Sequence, residues 1–162
     1  MREMNTMLIR NWNARVAATD LVYHLGDFCF KGGVQGGGVP AQYWESQLNG
    51  KIIHIRGNHD SNNGIRDALE SAVLRVGHHT WWLCHKRPWS INELPPGCHA
   101  VLCGHSHKAW AIQWLDAIPI INVGVDVQRF MPQAKQEIIT QISRAQGARK
   151  QRADNDSEQR DG

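Results

Sequence analysis

Apolar residues at Met4, Met7, Leu8, Trp12 and Val16 recur every three or four positions, which predicts an amphipathic helix over residues 3–17. Asp20 interrupts that pattern, and the run Leu21-Val22-Tyr23-His24-Leu25 predicts a short buried strand ending at Gly26-Asp27. A helix follows over residues 41–48, stopped by Asn49-Gly50. Next come a strand over 51–56, the loop Gly57-Asn58-His59-Asp60 and a helix over 63–71. Strands are predicted at 73–76, 80–84 and 99–103, then a hairpin of 112–115 with 118–123, and a final strand at 137–142. Residues 31–40 hold five glycines and read as an irregular, mobile loop near the site. They lack the Gly-Lys-Ser/Thr ending of a phosphate-cradling loop. Helices come early and strands predominate later, which fits a layered α/β sandwich better than regular βα alternation.

The chain has 162 residues, 41% hydrophobic and 20% charged, which suits one globular domain with a real core. That domain is expected over 1–143, with 144–162 a disordered basic and polar tail. No apolar run nears transmembrane length and the N-terminus lacks a signal-peptide layout, so a cytoplasmic protein without a membrane partner is expected. Net charge is +3, and part of it sits in 144–152, so it defines no nucleic-acid surface. Cys29, Cys84, Cys98 and Cys103 read as reduced thiols. The alternative, a structural zinc site using Cys98 and Cys103, has no CxxC pair behind it. Trp81, Trp82, Trp89, Trp110 and Trp114 suit either core and pocket walls or base stacking, the first being favoured.

Four short motifs each follow a predicted strand: Gly26-Asp27, Gly57-Asn58-His59-Asp60, Cys84-His85 and Gly104-His105-Ser106-His107. Chemistry in α/β proteins gathers beyond the carboxyl ends of strands. Carboxylate, amide and imidazole donors in Gly-bounded loops suit a pair of hard cations that activate water. A carboxylate such as Asp27 can bridge two ions, and Asn58 offers a neutral oxygen that leaves the ion's charge intact. Each motif also has an ordinary reading. Gly-Asp alone is a surface turn, the 57–60 loop an Asx turn capping a helix, and His85 alone a structural histidine. Arg56 and Lys86 lie close enough in sequence either to contact a phosphate or simply to face solvent.

Together with Leu8-Ile9-Arg10-Asn11-Trp12-Asn13, Tyr23-His24-Leu25-Gly26-Asp27-Phe28, Ile55-Arg56-Gly57-Asn58-His59-Asp60 and Asn122-Val123-Gly124-Val125-Asp126, these motifs resemble the calcineurin-like metallophosphoesterase superfamily, particularly its small bacterial and phage-type members. The resemblance implies a layered α/β/β/α sandwich. It implies two divalent ions, Mn²⁺ first with Fe, Zn or Ni as alternatives, bridged by Asp27. Asn58, His85 and His105 would complete the second ion's ligands, and His107 would serve the first. His59 would stabilise or protonate the leaving oxygen, with Asp60 orienting its imidazole. The substrate would be a phosphomono- or phosphodiester, with nucleic acid and nucleotides among the classes implied, and loops such as 31–40 would discriminate among them.

Family members begin with a strand ending in Asp-x-His, which supplies two further ligands to the first ion. No Asp-x-His occurs in this sequence, which opens directly on the helix expected to follow that strand. The expectation is therefore a sandwich lacking its first strand, an N-terminally truncated domain, and weak or absent hydrolysis. Two readings stay open: a two-metal phosphoesterase, and a non-catalytic remnant binding one metal or a phosphate-containing partner. A nucleic-acid-binding module built on the tryptophans ranks third.

Overall fold

The computed structural model describes residues 2–29 and 38–158. Helix α1 (Arg2–Asn13) leads to strand β1 (Leu21–His24), helix α2 (Ala41–Glu45) and strand β2 (Lys51–His54). Strands β3 (Ser71–Val76), β4 (His79–Cys84), β5 (Ala100–Cys103), β6 (Ile112–Leu115) and β7 (Ile118–Asn122) follow, and helix α3 (Lys135–Glu158) closes the described chain. β1 and β2 form a parallel pair; the other five strands form a sheet ordered β3-β4-β5-β7-β6. Within it β4, β5 and β7 run parallel, and antiparallel β3 and β6 edge them. Among the described residues β1 pairs only with β2, so its other edge is open. The mixed α/β class is as expected.

The sequence Ala100-Val101-Leu102-Cys103 has no polar position, as a strand covered on both faces requires, and all four residues are buried. Ala100 and Leu102 pack on one side with Leu25, Ile55, Trp81 and Leu83. Val101 and Cys103 pack on the other with Cys84 and Ile120. The β4–β5 register is thereby held from both faces, and it places Cys84 opposite Cys103. That pairing brings the next residues of both strands to one edge of the sheet.

Several boundaries differ from those expected. Residues 63–71 are not a helix: a 3-10 turn covers Asp60–Asn62, and Leu69 pairs its backbone with Ile55 before β3 begins. Gly64 there sits at φ +95°, which ends any helical run at once. The segment 137–142 is helical rather than extended. Ile138, Ile139 and Ile142 fall on one helical face against the core, and Glu137 reaches back to accept the Ala134 N–H at 2.8 Å. α3 continues as far as Glu158, through the stretch read as a disordered tail. α1 stops at Asn13, four residues short of the expected end, where the Asn13 amide donates to the Gln47 carbonyl at 2.7 Å and accepts the Asn49 N–H at 2.8 Å. Most of the glycine-rich segment 31–40 lies outside the described residues. No described helix is long and apolar enough to cross a membrane.

Candidate metal centre

Asp27 lies three residues past β1, Asn58 four past β2, His85 directly after β4 and His105 two past β5. Parallel pairing of β1 with β2 and of β4 with β5 sends each pair of loops out at a common end. The Gly26 and Gly57 backbones then touch. Gly26 is at φ +93°, and a Cβ on it would lie 2.7 Å from the Gly57 Cα. A Cβ on Gly57 would in turn lie 2.9 Å from the Asp27 Cγ. Both positions need glycine, for conformation or for room.

The two loops are clamped by Asp60, which is 2% exposed. Its Oδ2 accepts the Gly57 and Asp27 N–H groups at 2.8 Å each. Its Oδ1 accepts the Phe28 N–H at 3.1 Å and the Asn63 amide at 2.5 Å. These four donors match the roughly four lone-pair positions a carboxylate offers. Asp27, His105 and His107 all hold positive φ, at 56°, 62° and 43°. Non-glycine residues rarely adopt that conformation, and such strain concentrates at functional sites.

Ligand atoms of Asp27, His85 and His105 lie within 4.8 Å of one another. His85 is the centre of the group. Its Nδ1 is 2.7 Å from the Leu25 carbonyl, which can only accept, so Nδ1 carries a proton. Its Nε2 lies 2.9 Å from Asn58 Oδ1, 3.3 Å from Asp27 Oδ2 and 3.2 Å from His105 Nδ1. A neutral His85 therefore turns an Nε2 lone pair toward two oxygen lone pairs. A divalent cation satisfies that convergence of acceptors, and an N–H donated to a carbonyl is the usual support for a metal-binding imidazole. Partial desolvation, then the neighbouring His85 ring, lowers the His105 pKa and favours the neutral form that can coordinate. One carboxylate, one amide and two imidazoles suit first-row divalent ions such as Mn²⁺.

A calcineurin-like phosphoesterase superfamily domain matches residues 4–143. The chain belongs to that superfamily. It is similar to an uncharacterised protein of Methanocaldococcus jannaschii, 30% identical over 156 residues that span 92% of this chain and 81% of the relative. Among solved structures it resembles a protein of unknown function from Aquifex aeolicus, with TM-score 0.65, 20% identity and 86% of each chain covered. That likeness shows the fold alone. A predicted phosphoesterase from Streptococcus pneumoniae matches 81% of this chain and 70% of its own at TM-score 0.46 and 20% identity.

Within this superfamily member, the structure does not bring every candidate to the cluster. His107 is exposed, with its Nδ1 2.9 Å from Asp126 Oδ2. Asp60, expected to orient the His59 imidazole, receives three backbone N–H groups and the Asn63 amide. His59 is exposed, and its own N–H donates to Asp27 Oδ1 at 2.9 Å. Arg56 turns to Glu70 at 2.8 Å. The four cysteines are free thiols, and among the described residues none joins a group of three or more ligand side chains. Burial pushes Cys84 and Cys103 up to about 12, so they stay protonated at neutral pH.

Two buried asparagines have structural roles at the site that the sequence reading does not assign: Asn63 lies outside every motif, and Asn122 stands in one without a role. Asn63 holds Asp60. Asn122 ends β7 and donates to the His107 and Trp110 carbonyls at 2.8 and 2.9 Å, fixing the 104–107 loop. A polar residue closing an apolar strand parallel to two motif-bearing strands is the signal that marks Asn122.

Proposed function

We propose that the chain is a metal-dependent phosphoesterase acting on a phosphomono- or phosphodiester. Asp27, Asn58, His85 and His105 would hold one divalent ion, and Asp27 with His107 would contribute to a second. Bound there, the metal supplies an activated water and neutralises charge on the phosphate. The chain's own part is positional. Leu25 fixes the His85 tautomer, Asp60 holds the two ligand loops together, and Asn122 fixes the loop that carries His105 and His107. His59, beside Asn58 and exposed, would stabilise or protonate the leaving oxygen.

The supporting observation is the convergence of Asn58 Oδ1, Asp27 Oδ2 and His105 Nδ1 on the His85 Nε2, within 2.9 to 3.3 Å. The test is Mn²⁺-dependent hydrolysis of an aryl phosphodiester, with Asp27→Ala as control. Hydrolysis that requires Mn²⁺ and falls by a factor on the order of 100 or more in the variant is the expected result. Equal rates in both would end the reading.

One observation favours a second reading, a protein that binds a single metal without catalysis. His107 pairs with Asp126 and stands apart from the Asp27, His85 and His105 group. Metal count separates the two: two ions per chain for the hydrolase, one for the binding protein.

A further inference from the structure

His105 belongs both to the metal cluster and to a neighbouring cavity of about 390 Å³, whose other walls are Lys86, Arg87, Trp89, Ser106 and Trp110. These walls come from the segments after β4 and β5, the same strand ends that carry His85 and His105. Trp89 is the anomaly. It is 79% exposed, whereas Trp81 is buried in the core and Trp82 packs against it. An indole left in water gives up the burial that makes tryptophan valuable to a fold.

The backbone that carries this exposed ring is nevertheless held firmly. The Trp89 and Ser90 N–H groups both donate to Glu93 Oε1, at 2.9 and 2.8 Å. Ser90 caps the 3-10 turn Ile91–Glu93, and Pro88 on the other side is fully buried. The Arg87 guanidinium lies 4.9 Å from the centre of the Trp89 ring and is itself bonded to the Pro88 carbonyl and to Gln113. A large aromatic surface is thus presented to solvent from an anchored backbone, with Arg87 against the ring, as suits a binding platform. Lys86 and Arg87 add positive charge, and among the described residues no carboxylate lines the cavity. Its volume falls within the range of small-molecule sites.

We propose that this cavity is the specificity subsite of the metal centre and takes the planar base of a nucleotide-type phosphate ester. The base stacks on the tryptophan wall, and the phosphate faces Lys86 and the His105 side. Stacking accepts any base, so the subsite selects for a base without selecting which one. The inference rests on the phosphoesterase reading only for the fate of the phosphate.

The test compares AMP with ribose 5-phosphate, which differ by the base alone. Their dissociation constants are measured by calorimetric titration on the full chain, metal-depleted and Mn²⁺-loaded. AMP is expected to bind on the order of 10-fold more tightly in both states. Trp89→Ala should abolish the preference and Trp89→Phe should retain most of it, with the folding of both checked by circular dichroism. Equal affinities, no binding of either probe, or a preference that survives Trp89→Ala would overturn the proposal. A base preference without ester hydrolysis would sustain the subsite while refuting the phosphoesterase reading. Hydrolysis without a base preference would do the reverse.

Discussion

Asp60 and His24 show how single side chains bear on the site without belonging to its ligands. Removing the Asp60 carboxylate leaves three backbone N–H groups and the Asn63 amide without their acceptor. Asp60→Ala should therefore cost roughly 3–5 kcal/mol in denaturant unfolding, a large part of a typical domain's stability. His24 is only partly buried as a residue, yet its Nδ1 is shut from solvent and, among the described residues, has no hydrogen-bond partner; the ring centres of Phe28 and His54 lie 4.9 and 5.9 Å from its own. Burial, then the His54 ring, lowers its pKa from 6.5 to about 4. The unfolded chain takes up the proton first as pH falls. This contribution to stability is therefore complete above about pH 6.5 and is lost on acidification toward 4, by about 3 kcal/mol at most. Thermal unfolding between pH 7 and 4 should show that decline, and His24→Gln should flatten it. The motif residues were legible because their types and order are distinctive. The Asp60 role was not, because nothing in the sequence says which donors a carboxylate will meet across a fold.

At the scale of elements, strands covered on both faces were the most legible, and short or strongly β-branched segments the least. β5 has an uninterrupted apolar run, and its prediction fails only by one residue at its start. The paired isoleucines near the C-terminus look strand-like one by one, but their spacing of one and four positions is that of a helix face, with Ile138 6% exposed. Ile138→Ala should cost about 2–5 kcal/mol, as truncation of a core isoleucine does. Beyond Arg149, which lies 4.5 Å from the Trp114 ring, the described part of α3 through Asp156 is wholly exposed. Ending the chain after Arg149 should change unfolding free energy by less than about 0.5 kcal/mol while lowering helical circular dichroism. A larger loss of stability would show that the last turns of α3 pack on something.

For the molecule as a whole, topology builds the site. Parallel strands in two sheets deliver four loops to one place, and the glycines of two of them let the backbones meet closely enough for the ligands to converge. The sequence motifs named Asp27, Asn58, His85 and His105, but only the strand pairing explains why residues up to 78 positions apart share one site. Lys86, Arg87 and Trp89, just past His85, were harder to place, since exposure and stacking depend on loops that no periodicity describes. The central claim is that these four side chains hold a divalent cation. Equilibrium dialysis against Mn²⁺, on the chain and on His85→Ala with folding checked by circular dichroism, tests it most directly. The account predicts at least one bound ion per chain, lost or weakened on the order of 100-fold in the variant. Absence of bound Mn²⁺, or equal binding by both proteins, would contradict it.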